Sequence, residues 1–273
     1  MADQFQYLKA VVFDWAGTMI DHGCIAPAFV FREIFKQRGI EITTSQAREP
    51  MGMAKRAHIA TIAAMPEVAA AWQGKYGRTC SEDDVDAMYA DFLPMQKQVL
   101  KDHCQLIPGA AEIAKFCRDS GLKIGSSTGY TRELMEVVTA EAAKQGYEPD
   151  CVLCSEDAPK GRPAPYLLHE AAKRMDVYPM WHIVKVDDTP VGIEAGRNAG
   201  CWTVGITQTG NGVGLSQDQF DQLPSDEAQL VCEKAALSLR KTEAHYIIET
   251  VADLAPVFRE IDSLIGKGRT AIP

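Results

Sequence analysis

The stretch that most constrains the fold is residues 11–18, VVFDWAGT, in which an apolar run ends on an acid. A short run of β-forming residues is typical of a buried strand in a parallel sheet. The glycine that follows at position 17 indicates a sharp turn. Ligands of open α/β sheets bind beyond the carboxyl ends of the strands, so this pattern places Asp14 at a candidate ligand site. Taken alone, the same residues also fit an ordinary turn.

A second pattern begins near residue 104, where apolar runs alternate with helical patterns. Four of these runs predict strands: 122–125, 151–154, 183–186 and 202–206. Strands that alternate with helices predict an α/β fold with a doubly wound parallel sheet. The pattern weakens beyond residue 210, where we expect a helix over 226–241, an edge strand at 245–248 and a terminal helix over 253–264.

Residues 22–103 show helical patterns and no convincing strand pattern. We therefore expect an all-helical cap domain over 22–103, inserted directly after the first strand. The α/β core would then comprise residues 1–21 and 104–273. Within the insertion, residues 40–45 are expected to be a connector and residues 53–65 to form its second helix.

The composition excludes several classes of function. A net charge of −9 argues against nucleic acid or an anionic membrane as a partner. No apolar run approaches the roughly 18 residues that span a bilayer. The first residues lack the basic and apolar regions of a signal peptide, so we expect a cytoplasmic protein. Its eight cysteines are then expected to be reduced, and the pair Cys151 and Cys154, in a strand-like apolar run, to be structural.

The predicted strands deliver polar side chains to one edge of the sheet. These side chains are Asp14, Ser127 and Thr128, Arg162, and Asp187 with Asp188. A nucleophilic carboxylate, hydroxyls, a cation and an acidic pair suit a phosphoryl group beside a metal ion. Asp14 could form an aspartyl-phosphate and share Mg²⁺ with Asp188. Thr128 and Arg162 could hold the transferring oxygens.

This ordered set resembles the four motifs of the haloacid dehalogenase superfamily of phosphotransferases, and the helical insertion resembles the cap domain of that family. Two positions depart from the family pattern. Ala16 replaces the second acid of the first motif, D-x-D, and Arg162 stands where many members carry lysine. In the phosphatases of the family the missing acid protonates the leaving oxygen, and such catalysis contributes roughly 10²–10⁴ in rate. Its absence disfavours an ordinary sugar-phosphate phosphatase.

A leaving carbon atom needs an electron sink rather than a proton on oxygen, and an amine that condenses with a neighbouring carbonyl supplies one. Lys55 is the candidate, in the stretch MGMAKRAH at residues 51–58. On a helix, Met51, Lys55 and His58 would share one face. The amine must be partly neutral, which burial or a neighbouring cation promotes. Arg56 and His58 are the expected neighbours.

With Lys55 included, the sequence resembles the phosphonatases within the superfamily. That resemblance implies hydrolysis of phosphonoacetaldehyde to acetaldehyde and phosphate, in the degradation of 2-aminoethylphosphonate. It implies that Lys55 forms an imine and that Asp14 accepts the phosphoryl group. It also implies Mg²⁺ between Asp14, the Ala16 carbonyl and Asp188, with Asp187 in support.

The same resemblance implies further site residues and an assembly. His58 is a candidate proton carrier, and the residues expected at the substrate are Cys24, Met51, Gly52, Ser127 and Tyr130. A homodimer through the cap domains is also implied. Gly192 departs from the pattern, because some relatives place a further acid there. Three alternatives stay open: a phosphomonoesterase or phosphomutase of the same superfamily, a non-catalytic phosphate-binding module, and a halide-releasing dehalogenase.

Overall fold

Six parallel strands form the centre of the molecule in the computed structural model, which describes residues 4–271. The strands are β1 (Ala10–Phe13), β2 (Lys123–Ser127), β3 (Cys151–Leu153), β4 (Ile183–Asp187), β5 (Trp202–Ile206) and β6 (Tyr246–Ile248). Their spatial order is β3-β2-β1-β4-β5-β6, and every neighbouring pair is parallel. The predicted doubly wound α/β fold is confirmed. The outermost residues assigned to the core, 1–3 and 272–273, lie outside the described residues.

Alternate residues of β1 face two helical layers, as the two-residue period of a strand requires. Val11 and Phe13 belong to an apolar cluster with helices α6 (Ala110–Asp119), α7 (Arg132–Lys144) and α12 (Leu254–Gly266). On the other face, Ala10 and Val12 pack with α8 (Tyr166–Met175) and α9 (Pro190–Ala199). A further helix, α11 (Ser225–Arg240), contacts α9, β5 and β6. The central strand is therefore buried from both sides.

Five of the helices between β1 and β2 lie within residues 22–103. They are α1 (Ile25–Gln37), α2 (Thr44–Arg48), α3 (Lys55–Ala64), α4 (Pro66–Tyr76) and α5 (Glu82–Leu100). They enclose an apolar cluster of their own, in which large members are Phe31, Phe35, Trp72 and Phe92. The described residues 22–103 contain no strand. We refer to these residues as the helical insertion.

The structure corrects the sequence-based expectations at four helices. Helix α2 begins within the expected connector, at Thr44, and its first turn is closed by a reciprocal Thr43–Gln46 capping box. Helix α10 (Gln217–Asp221) was not predicted and is capped in the same way by Ser216 and Gln219. Helix α9 begins at Pro190, earlier than the helix that the sequence predicts over residues 193–199, because proline suits a first helical position. Helix α3 begins at Lys55, so residues 51–54 form a turn.

The late start of α3 changes one inference about the site. Because Met51 lies in the turn before the helix, the prediction that Met51, Lys55 and His58 share one helix face was wrong.

The register of the sheet brings the functional strand ends together. Phe13 at the end of β1 pairs with Ser126 on one side and with Val186 on the other. Asp14, Ser127 and Asp187 are the next residues along these three strands, so they meet at one edge. Among the described residues, no helix is both long and apolar enough to cross a bilayer.

Candidate active site

Asp14 is buried directly beyond β1 and is held by the backbone and by a cation. Its N–H donates to the Val186 carbonyl at 3.0 Å. The Arg162 guanidinium donates to Asp14 Oδ1 at 2.7 Å, to Ser127 Oγ at 3.1 Å, and to the Ser127 carbonyl. Burial raises the pKa of Asp14, and the charge of Arg162 opposes that rise. Asp14, Ser127 and Arg162, which follow three different strands in the sequence, are therefore in contact with one another.

Asp187 is fully buried and paired with two cations. Its Oδ2 lies 2.9 Å from Lys185 Nζ and 3.2 Å from Arg162 Nη1. Its Oδ1 accepts hydrogen bonds from Thr189 N at 2.9 Å and from Thr189 Oγ1 at 2.7 Å. Burial favours the neutral acid, yet Lys185 and Arg162 lower the pKa of Asp187 below its usual value.

Lys185 was not among the predicted site residues, although a signal for it exists in the sequence. Residues two apart on a strand face the same side, so Lys185 and Asp187 point the same way from β4. The carboxylate of Asp187 also explains the glycine at position 192. A Cβ on Gly192 would lie 2.0 Å from Asp187 Cγ, so no larger residue fits there.

Asp188 lies beside Asp14 and accepts hydrogen bonds on both oxygens. Thr18 Oγ1 donates to Oδ1 at 3.1 Å, and Asn211 N donates to Oδ2 at 2.7 Å. The Cys24 thiol contacts Asp188 Oδ2 at 3.4 Å and the Ala16 carbonyl at 3.1 Å. Burial and the nearby charges of Asp187 and Asp14 raise the pKa of Asp188 to about 8.

The three aspartates form a possible metal site. Asp14, Asp187 and Asp188 each offer a carboxylate oxygen, and these atoms lie within 4.8 Å of one another. Carboxylate oxygens are the ligands that Mg²⁺ prefers, and a divalent cation would reverse the mutual repulsion that raises the pKa of Asp188. The donor set therefore fits a hard divalent cation.

Lys55 reaches the site from the first turn of α3. Its side chain is buried, and its Nζ lies 4.6 Å from the ring centroid of Tyr130 and 5.6 Å from that of Phe31. It forms no ion pair within residues 4–271. Burial, with a smaller contribution from Arg162, lowers the pKa of Lys55 to about 8. About a tenth of the amine is therefore neutral at pH 7, far more than for a solvated lysine.

The expected role of Arg56 was wrong. Its guanidinium turns away from Lys55 and pairs with Asp86 at 2.6 Å and Glu82 at 2.7 Å on an exposed surface. The cation that acts on Lys55 is instead Arg162, from the far side of the site.

One small cavity lies between the helical insertion and the strand ends. Nine predicted site residues line it: Asp14, Ala16, Cys24, Met51, Gly52, Lys55, Thr128, Tyr130 and Arg162. Pro27, Gly129 and Thr189 complete the lining and were not predicted. Its free volume of about 20 Å³ leaves room for roughly one water molecule. Lys55 and Asp14 therefore line the same small cavity.

Four predicted residues stand behind this lining. Ser127 and Asp187 contact the guanidinium of Arg162, and Asp188 lies beside Asp14 and Asp187. His58 is fully buried, its Nε2 lies 2.9 Å from the Ala47 carbonyl, and its ring stacks on Phe31 at 3.6 Å. Burial and the charge of Lys55 lower the pKa of His58 well below its usual value, so its ring is neutral at neutral pH.

Two glycines allow the segment before Lys55 to approach the core. A Cβ on Gly129 would lie 2.5 Å from the Met53 carbonyl oxygen. Gly52 has a φ of +90°, which few L side chains adopt, and its Cβ would lie 2.5 Å from Thr189 Oγ1. These contacts place the turn at residues 51–54 directly over the strand ends.

The parallel sheet, the ordered strand-end residues and the inserted helices define a haloacid dehalogenase-like hydrolase. The sequence model of that family matches residues 8–200. Solved structures at low identity share the fold alone, such as a β-phosphoglucomutase of Bacteroides vulgatus described as putative, with a TM-score of 0.64 at 18% identity.

More similar proteins carry a narrower name. Phosphonoacetaldehyde hydrolase of Paraburkholderia phytofirmans is 43% identical over 96% of this chain and 98% of its own length. The enzyme of that name from Nitratidesulfovibrio vulgaris is 43% identical over 97% of this chain and 95% of its own. A phosphonoacetaldehyde hydrolase-like protein from Oleispira antarctica superposes with a TM-score of 0.95 at 37% identity, over 99% of this chain and 98% of its own. This chain belongs to the phosphonoacetaldehyde hydrolase family of the haloacid dehalogenase-like hydrolases.

Proposed function

We propose that this enzyme hydrolyses the phosphorus–carbon bond of phosphonoacetaldehyde, giving acetaldehyde and phosphate. The observation that carries the proposal is that a desolvated amine, Lys55, and a carboxylate nucleophile, Asp14, line the same cavity. The names of the relatives support the same substrate.

The amine begins the reaction by attacking the aldehyde carbon. Neutral Lys55 adds to that carbon, and the resulting carbinolamine takes up a proton and loses water to give an iminium. Asp14 Oδ then attacks phosphorus, the P–C bond breaks, and its electron pair moves into the iminium to give an enamine and an aspartyl-phosphate. Water hydrolyses the aspartyl-phosphate to phosphate. The enamine carbon takes up a proton, and water then releases acetaldehyde and regenerates Lys55.

Ala16 fits this chemistry. A phosphate ester leaves as an alkoxide and needs a proton donor at its oxygen, which the second acid of D-x-D supplies in phosphatases. Here the leaving atom is carbon, and its electrons pass to the iminium nitrogen. An acid at position 16 would have no leaving oxygen to protonate.

The remaining lining residues are assigned by their positions. Arg162, which already contacts Asp14 at 2.7 Å, and Thr128 would bind the phosphonate oxygens, with Ser127 holding Arg162. Cys24, Met51, Gly52 and Tyr130 would contact the aldehyde end of the substrate. The proposed proton transfer by His58 requires a bridging water, because its ring does not line the cavity.

We also propose Mg²⁺ as the cofactor. Asp14, Asp188 and the Ala16 carbonyl would hold it, with Asp187 in support through its pairing with Lys185 and Arg162. When bound, the ion would neutralise charge on the phosphoryl oxygens.

The biological setting completes the proposal. Residues 22–103 would act as a cap domain over the core, and two cap domains would join in a homodimer. We place the enzyme in the cytoplasm, in the degradation of 2-aminoethylphosphonate.

Reduction of the imine tests the proposal. Sodium borohydride added together with phosphonoacetaldehyde should inactivate the enzyme and attach a two-carbon unit to Lys55, as peptide mass spectrometry would show. Lys55→Arg should abolish both labelling and phosphate release, because an arginine does not form the imine. Lys97→Arg, at an exposed lysine of the helical insertion, is the matched control and should behave as the wild type.

Two results would contradict the assignment. Full phosphate release by Lys55→Arg would exclude the imine. Turnover of sugar phosphates, with no turnover of phosphonoacetaldehyde, would favour the phosphomonoesterase or phosphomutase alternative.

A further inference from the structure

A half-buried arginine, Arg48, links the helical insertion to the core at the end of α2. Its Nη1 donates to the Gly23 carbonyl at 2.6 Å and to Asn211 Oδ1 at 3.0 Å. Its Nη2 donates to the Gly214 carbonyl at 3.1 Å. In return, Asn211 Nδ2 donates to the Arg48 carbonyl at 3.1 Å. Arg48 and Asn211 are thus joined by two hydrogen bonds that run in opposite directions.

Each partner of this pair is bonded to one half of the active site. The backbone N–H of Asn211 donates to Asp188 Oδ2 at 2.7 Å. The Arg48 carbonyl also accepts the N–H of Met51 at 3.0 Å, in the turn that leads into Lys55. A continuous series of hydrogen bonds therefore runs from a carboxylate of the core to the segment that carries the amine.

The loop of the core is shaped around the guanidinium. Gly214 has a φ of +68°, and a Cβ there would lie 2.8 Å from Arg48 Cζ. The planar fork of arginine reaches three acceptors in fixed directions, which the single ammonium of lysine does not reproduce. The arrangement is specific for arginine.

We propose that Arg48 is a positioning residue that, through Asn211, aligns Lys55 with the Asp14–Asp188 edge of the core. The inference rests on the proposed function, in which the imine carbon and the phosphorus of one substrate must meet groups from two parts of the chain. Misplacement by about 1 Å can cost roughly 10²-fold in rate. Imine formation needs only Lys55, whereas P–C cleavage needs Lys55 of the helical insertion and Asp14 of the core to be aligned on the same substrate.

Asn211→Ala separates this link from the contact with Asp188. It removes both side-chain bonds to Arg48 and keeps the backbone N–H that binds Asp188. We expect the kcat for phosphate release to fall roughly 10- to 100-fold, while borohydride trapping of Lys55 at saturating phosphonoacetaldehyde stays at the wild-type level. Lys97→Met, which removes a different contact between the insertion and the core, to Glu133 at 2.9 Å, is the matched control and should leave both rates unchanged.

A double-mutant cycle on Mg²⁺ binding gives a readout that is independent of turnover. Isothermal titration of Mg²⁺ into the wild type, Arg48→Met, Asn211→Ala and the double variant should show weaker binding in Arg48→Met, by roughly fivefold, and non-additive effects in the pair.

The outcomes separate the two hypotheses. Wild-type kcat in Asn211→Ala, or equal losses of trapping and phosphate release, would overturn the positioning role, and so would additive effects on Mg²⁺ binding. An inactive wild type with a non-additive cycle would refute the proposed substrate and leave the link supported.

Discussion

Two lysines of this enzyme, Lys55 and Lys185, are buried almost completely, and they differ in whether the amine has an ion-pair partner. Lys185, on β4 of the core, has its Nζ 2.9 Å from the carboxylate of Asp187. Lys55, in the helical insertion, meets the rings of Tyr130 and Phe31 and has no ion-pair partner among residues 4–271. Burial lowers the pKa of both amines. The charge of Asp187, an ion-pair partner, acts against that shift at Lys185. At Lys55 the opposing charges are those of Cys24 and Asp14, which form no ion pair with it.

The comparison shows how one chemical group serves two purposes. A buried ammonium with a carboxylate partner stays charged and fixes its neighbours, as Lys185 fixes Asp187 and through it Arg162. A buried amine without such a partner loses its proton more readily and becomes a nucleophile. The pairing, rather than the burial, distinguishes a structural lysine from a candidate catalytic one.

The largest effect on stability is expected from Lys185→Met. It leaves Asp187 buried with one cation, Arg162, and should lower the free energy of unfolding by about 3 kcal/mol at pH 7. Urea denaturation would measure it. Lys173→Met, at a side chain that is 80% exposed, is the control and should change little. A Lys185→Met variant as stable as the wild type would show that the pair does not stabilise the core.

Lys55→Met should instead raise the free energy of unfolding. It should unfold at a higher urea concentration than the wild type while losing activity. The pKa of Lys55 falls from 10.5 to about 8 on folding, so the cost of burying the charge is fully present below pH 8 and disappears as the pH approaches 10.5. The gain at pH 7 should therefore be at most about 3 kcal/mol. Lys97→Met is the control, and a destabilised Lys55→Met variant would contradict the comparison.

The smallest effect concerns the pH dependence of imine formation. Only the neutral amine attacks the aldehyde, so the initial rate of borohydride-trapped labelling at Lys55 should rise roughly tenfold per pH unit below pH 8 and level off above it. A rate that continues to rise towards pH 10.5 would indicate an ordinary solvated lysine. Peptide mass spectrometry of quenched samples measures the rate at this residue alone.

Much of the fold and of the site follows from local patterns in the sequence. Parallel strands end at one edge, so the positions of Asp14, Thr128 and Asp188 just beyond strands, and of Arg162 in the connection that follows β3, were enough to predict that they meet. The missing acid at position 16 and the amine at 55 then indicated the reaction class. These inferences depend on residue type and order, which the sequence states directly.

What could not be predicted depends on contacts between distant residues. The direction of Arg56 is decided by Glu82 and Asp86 on α5, and the link from Arg48 to Asn211 joins residues 163 positions apart. Met51 was placed on a helix because hydrophobic periodicity does not locate a helix start to within a turn. The capping pairs Thr43–Gln46 and Ser216–Gln219 were present in the sequence and would have indicated α2 and α10.

The glycine at position 192 also limits how this enzyme could diverge. Because a Cβ there would lie 2.0 Å from the carboxyl carbon of Asp187, an acid at 192 and the present Asp187 exclude each other. A descendant that acquired an acid at 192 would first have to change or relocate residue 187, and with it the partner of Lys185 and Arg162. The order of substitutions is thereby constrained, and the two arrangements of the acidic edge are separated by a step that no single mutation crosses.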